Sequence, residues 1–174
     1  MSWDLIFREV QKFRQTWLWA LLILEALIIT VIFGHAMLTQ LVLGQPWGNR
    51  PMPNDMLIVF GLIVILLAVG IPLLFYFIKL VVEVRVNGIY IRFYPFINRK
   101  IPFEEVKTFE LKTYNPVTEY GGWGIRWSSK KGIAYIVSGN QGVQLELVNG
   151  KKLLIGSQYP EDLVQAIEIG MIKR

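Results

Sequence analysis

Two long apolar runs decide what this chain can become. Residues 17–38 (WLWALLILEALIITVIFGHAML) carry one acid and one histidine, and residues 56–78 (MLIVFGLIVILLAVGIPLLFYFI) carry no charge. Each reaches the roughly 20 residues that a helix needs to cross about 30 Å of hydrocarbon. The chain has 174 residues, too few to wrap two such helices as a soluble core. They are therefore read as the two spans of a transmembrane hairpin. A cleaved signal peptide does not fit the first run, which is too long, starts late and lacks a small-x-small cleavage site.

Glu25 breaks the first run. At 1.5 Å per residue it lies about 12 Å along the helix from Trp17, well inside the hydrocarbon. Insertion scales place the cost of an acid there at about 2.5 to 3.5 kcal/mol. The second span offers no basic partner, only Tyr76 near its end. The carboxyl group is thus held either as the neutral acid or by hydrogen bonds, from another chain or within its own hairpin. Gly61, Gly70 and Pro72 lie in the second span, where small residues let helices approach closely. Glu25, Gly61 and Gly70 are candidate partner-binding positions on those grounds.

Charge orients the hairpin. Arg8, Lys12 and Arg14 precede the first span, the connecting loop holds only Arg50, and Lys79, Arg85, Arg92, Arg99 and Lys100 follow the second. The positive-inside bias then puts both termini in the cytoplasm of a two-pass cell-membrane protein. Those eight flanking cations are candidates for contact with anionic lipid. The net charge of +5 does not read as nucleic-acid binding, because nine acids from Glu83 onward are mixed with the bases and no recognition motif accompanies them.

Ahead of the first span, Trp3, Ile6, Phe7, Val10, Phe13 and Trp17 recur every three or four positions between Arg8, Lys12 and Gln15. That spacing predicts an amphipathic interfacial helix over residues 3–17. Residues 1–80 then form one region, with spans at about 17–38 and 56–78, and residues 81–174 a self-contained cytoplasmic domain.

From Val81 the period becomes alternating. VEVRVNGIYIRF predicts a hairpin closed by Asn87-Gly88, pairing Val86 with Ile89, Val84 with Ile91 and Val82 with Phe93. Glu83, Arg85, Tyr90 and Arg92 take the other face. In VQLELVNGKKLLIG a two-residue loop would oppose leucines to charges. A longer turn over residues 149–151 is expected instead, pairing Leu147 with Leu153 and Leu145 with Ile155. VKTFELKTY, GIRWSS and IAYIVS supply further strands, and YPEDLVQAIEIGMIKR closes as a helix with an apolar stripe of Leu163, Ile167 and Met171.

IPFEEVKTFEL, GGWGIRW and GVQLELVNGKKLLIGSQYPEDLVQAI together resemble the bacterial and archaeal PH-like domains, in particular small prokaryotic membrane proteins that carry one after a two-helix hairpin. The resemblance implies an α+β membrane protein: two nearly orthogonal antiparallel sheets in a β-roll, capped by the C-terminal helix. It carries no catalytic signature.

Chemistry is thinly represented. Cys is absent and His35 stands alone, so thiolate and histidine-cluster metal sites are excluded. Glu104 and Glu105 have no converging partner, and no positioned base accompanies a nucleophile. No catalytic residue, metal or cofactor is expected. TEYGGWGIRWSSKKG combines glycines with Arg126, Lys130 and Lys131, but its spacing fits neither a P-loop nor a dinucleotide fingerprint. Trp123 and Arg126 are retained there as candidate partner contacts. The expectation is a noncatalytic, membrane-anchored accessory or scaffold subunit, its partners being other membrane subunits or copies of itself. The alternatives are a module that binds or senses anionic lipid surfaces, and a homo-oligomeric scaffold.

Overall fold

The structure, a computed structural model, describes residues 4–173. The chain divides into two units: residues 14–77, and the residues up to Phe13 together with Ile78 onward.

The first unit is a helical hairpin. Helix α1 (Thr16–Met37) runs into a π-helical turn, Leu38–Val42, and α2 (Asn54–Phe77) returns. Both are long and apolar enough to cross a membrane. Gln40 pins the connection: its Nε2 donates to the Met52 carbonyl at 2.6 Å and to Asn54 Oδ1 at 2.8 Å. The seam between the helices is tightest near this loop. Ala36 and Leu57 are buried there, the Phe33 and Phe60 rings lie 5.8 Å apart, and a Cβ on Gly61 would come 3.1 Å from Met37 Sδ.

The second unit holds two sheets. One has the order β1-β2-β3-β4, from β1 (Leu5–Lys12), β2 (Lys79–Arg85), β3 (Gly88–Tyr94) and β4 (Ile97–Ile101). The other has the order β5-β8-β9-β7-β6. Its strands are β5 (Val106–Thr113), β6 (Gly124–Ser128), β7 (Gly132–Ile136), β8 (Gln141–Leu147) and β9 (Lys152–Gly156). A short helix, α3 (Pro116–Tyr120), sits between β5 and β6, and α4 (Pro160–Ile172) ends the fold. Leu163, Ala166, Ile167 and Gly170 recur at helical spacing and are buried, against β1 and β2 of one sheet and β5 and β8 of the other. The Phe103 ring packs so closely on Gly170 that a Cβ there would lie 2.3 Å from it.

The amphipathic helix expected over residues 3–17 is overturned. Trp3 lies outside the described residues, but Leu5–Lys12 is a strand paired antiparallel with β2, from Leu5 opposite Arg85 to Lys12 opposite Lys79. Its alternate residues Phe7, Glu9 and Gln11 lie opposite Val84, Val82 and Leu80 of the core face. Polar side chains at two of these positions hide the strand period, and hydrogen bonds make their burial tolerable. Glu9 accepts from Ser157 Oγ at 2.6 Å and from the Gln158 N–H at 2.8 Å, while Gln11 Nε2 donates to the Gly156 carbonyl at 2.8 Å. The β unit therefore includes residues ahead of the hairpin, not only residues 81–174.

Both hairpin registers also move. Arg85 pairs with Gly88 and Val84 with Ile89, so the first turn is Val86-Asn87. Gly88 follows the turn with a φ of +135°, which favours glycine, and a Cβ there would also lie 2.5 Å from the Ile101 carbonyl oxygen. At the second turn Leu145 pairs with Leu153 and Val143 with Ile155, two residues from the expected register. The longer turn itself is present, closed by the Leu147 N–H on the Lys151 carbonyl at 2.8 Å. The sheets are not wholly antiparallel, because β9 inserts between β8 and β7 and pairs parallel with β7.

Two predictions follow from β1. Replacing residues 14–77 with a short Gly-Asn-Gly link should leave a folded β unit that melts cooperatively by circular dichroism, since Lys12 and Lys79 already face each other. The fragment 81–174, which lacks β1, should show no cooperative melt.

Burial raises the Glu9 carboxyl above its ordinary value of 4.5, outweighing the hydrogen bonds from Ser157, Gln158 and Gln11. The folded state therefore binds this proton more tightly than the unfolded chain, and its contribution to stability declines as pH rises from about 4.5 through the raised folded value. Glu9→Gln should flatten that part of the melting temperature's pH profile in detergent. An unchanged profile would show that Glu9 is not its source.

Candidate functional site

The hairpin opens into a groove on the side of Glu25. Glu25, Ala26 and Ile29 of α1 face Ala68, Ile71 and Pro72 of α2 across a cavity of about 220 Å³. Leu22 and Ala68, nearly buried, form its floor. Glu25 makes no hydrogen bond or ion pair among the described residues. Pro72, which lines the same groove, lacks the N–H that would bond the Ala68 carbonyl one turn back. The sequence exposed Glu25 at once. It did not reveal that Pro72 lines the same groove, because that depends on how the two helices face each other. Gly61 closes the seam of the hairpin itself, and nothing lies within 4 Å of a Cβ built on Gly70.

The glycine-rich segment is built for structure. Asn115 caps α3, its Oδ1 accepting from the N–H groups of Val117 and Thr118 at 3.0 and 3.1 Å. Glu119 Oε1 accepts in return from the Asn115 N–H at 2.8 Å. Gly121 and Gly122 end the helix, donating to the carbonyls of Val117 and Pro116 at 2.9 and 2.8 Å. Their N–H groups are thus committed to the helix stop. Trp123 packs on a cluster of Tyr114, Tyr120, Ala134, Ile136 and Leu154, and Arg126 Nε donates to the Trp123 carbonyl at 2.7 Å. Lys131 pairs with Glu119 and holds that carboxyl below its ordinary value.

The flanking cations differ in their surroundings. Arg8, Arg85 and Arg92, one from each of β1, β2 and β3, surround the buried Glu83 carboxylate at 3.6, 2.6 and 3.0 Å. Lys79 lies over the Tyr94 ring at 5.0 Å and Lys100 over Tyr90 at 5.4 Å. Lys12 stands opposite Lys79 on the neighbouring strand, and Arg14 is exposed. Arg99 makes no ion pair among the described residues. Glu104 and Glu105 occupy one exposed 3₁₀ turn, and no group of three or more potential metal ligands occurs among the described residues.

A family model described as "Family of unknown function (DUF6141)" matches residues 2–172, nearly the whole chain. The chain belongs to this family. The match runs through both long apolar helices and both sheets. No curated protein and no solved structure matches the chain.

Proposed function

We propose that this chain is a noncatalytic two-pass membrane protein, with both termini cytoplasmic and a PH-like β unit, acting as an accessory subunit of a membrane complex. The unpartnered Glu25 carboxylate in the groove between α1 and α2 carries the reading. An acid in hydrocarbon and a carbonyl freed by Pro72 are both acceptors, so the groove suits a donor from a third helix. A basic side chain answers both. Residues 16–42 and 54–77 hold no Lys or Arg, and their one histidine, His35, lies ten residues along α1 from Glu25, about 15 Å away in depth, so a second copy in the same orientation is a poor source of that group. The occupant is therefore a helix of a different subunit. At about 220 Å³ the groove is smaller than the roughly 300 Å³ at which drug-sized pockets begin, and a single side chain suits it better. Two sheets closed by α4 support the PH-like assignment of the β unit, and the parallel β7–β9 pair is its departure from that pattern. A lipid-surface role for the flanking cations has less support, because Glu83 engages three of the eight.

Hydrogen bonds within bilayers average about 0.6 kcal/mol and reach roughly 1.7, enough to select a partner rather than to hold it alone. Glu25→Leu should insert normally and recover roughly threefold to twentyfold less of a stoichiometric partner by pull-down in mild detergent. Glu25→Gln, which keeps an acceptor without the charge, should fall between Leu and the parent. Sequencing the partner should find Lys, Arg or His within an apolar span. Full recovery with the Leu variant would overturn the reading, and recovery of this chain alone would make it a homo-oligomer.

Orientation has its own test, and the chain's lack of cysteine suits it. A single cysteine at position 49 should be labelled by an impermeant reagent from outside, and one at position 140 should not.

A further inference from the structure

The cations of the β unit are unevenly satisfied. Glu83 takes three arginines, Glu146 takes Lys107 at 2.7 Å, and Glu119 takes Lys131. Arg99, Lys130, Lys151 and Lys152 make no side-chain hydrogen bond or ion pair among the described residues. These four line one concave basin of about 410 Å³, and no Asp or Glu lines it. Glu146 faces Lys152 across the β8–β9 ladder, but its carboxylate is engaged by Lys107.

The parallel strand pair builds this basin. Ile133 of β7 lies beside Leu153 of β9 and Ala134 beside Leu154, so the two strands begin at the same edge. A turn bearing Lys130 and Lys131 precedes β7, and Lys151 leads into β9, whose first residue is Lys152. Gly132 lets the turns close together: its φ is +79°, and a Cβ there would lie 1.9 Å from the Lys152 carbonyl oxygen. Arg99 arrives from β4. Ser128 and Ser129 add hydroxyl groups, and Trp127, 74% exposed, forms an apolar wall.

Four like charges around one cavity repel one another, and a concave wall focuses their field on an anion. The volume lies in the range of small-ligand sites, about 300 to 1,000 Å³. We infer that this basin binds a phosphate-bearing ligand. Lysine ammonium groups meet the phosphate as point charges, Arg99 adds a planar fork, and Trp127 covers the organic part. The source of the phosphate is either a lipid headgroup or a soluble phosphate compound. The site is independent of the Glu25 groove.

The test is titration calorimetry on the full chain in neutral detergent, with inorganic pyrophosphate and dioctanoyl phosphatidate as probes. The parent should bind at least one probe saturably, and more weakly as salt is raised. Lys130→Gln, Lys151→Gln and Lys152→Gln combined should weaken that binding roughly tenfold or more, as loss of charge-assisted contacts predicts. All three lysines lie at the surface or in turns, and an unchanged thermal melt will show that the variant folds. Glu25→Leu should bind as the parent does, whatever becomes of its membrane partner. Binding of phosphatidate alone assigns the site to a headgroup, whereas binding of pyrophosphate, with or without phosphatidate, assigns it to a soluble phosphate. No saturable binding of either probe, or equal binding by the folded triple variant, overturns the inference.

Discussion

The pairing of β1 with β2 is the constraint on which the rest of the molecule depends. Lys12 and Lys79 are ladder neighbours although 66 residues separate them, so the chain leaves the β unit and returns to it at adjacent points. The helical hairpin is thus an insertion between two paired strands rather than a leader joined to a finished domain. The same strand supplies Glu9 and Gln11, whose hydrogen bonds reach Gly156 at the end of β9 and Ser157 and Gln158 just beyond it. One strand thereby closes the first sheet and ties it to the second. Without β1 those backbone and side-chain groups would lose their partners, and the core face of β2 would lose a neighbour.

Much of this was legible in the sequence wherever the signal is local. The two helices come out within a few residues of the apolar runs, and the alternation from Val81 assigns the correct faces, with Val82, Val84, Ile89, Ile91 and Phe93 all buried. Register was less legible. A two-residue shift keeps every side chain on its face, so hydrophobic alternation cannot distinguish the observed pairing from the expected one. Gly88 pointed to the wrong turn because a glycine that follows a turn looks the same in sequence as one inside it. Strand β1 was misread for a different reason. Ile6, Phe7, Val10 and Phe13 match a helical stripe, while the inward row contains a glutamate and a glutamine whose partners lie almost 150 residues away.

The candidate sites divide the same way. Glu25 was visible because one charge in an apolar run needs no tertiary information to stand out. Arg126 and Lys131 stand out in the glycine-rich segment as well, but each is engaged locally, Arg126 by the Trp123 carbonyl and Lys131 by Glu119. Their former companion Lys130 belongs instead with Arg99, Lys151 and Lys152. That grouping requires the parallel contact between β7 and β9, which no run of consecutive residues encodes.

The net charge of +5 is therefore not a diffuse property of the surface. Where a carboxylate is available, the β unit gathers its cations around it, most tightly at Glu83, which is almost inaccessible beneath three guanidinium groups. Counting flanking Lys and Arg bears on orientation, because the positive-inside bias acts on charges near a span whatever they later contact. It is a poor guide to binding, because a cation held by Glu83 must give up that contact before it can serve an anion from outside. Surplus charge is concentrated where the fold brings basic turns together without supplying an acid. Among the described residues the paired starts of β7 and β9 do this, with Lys130 and Lys151 carried on the turns themselves and Lys152 at the first position of β9.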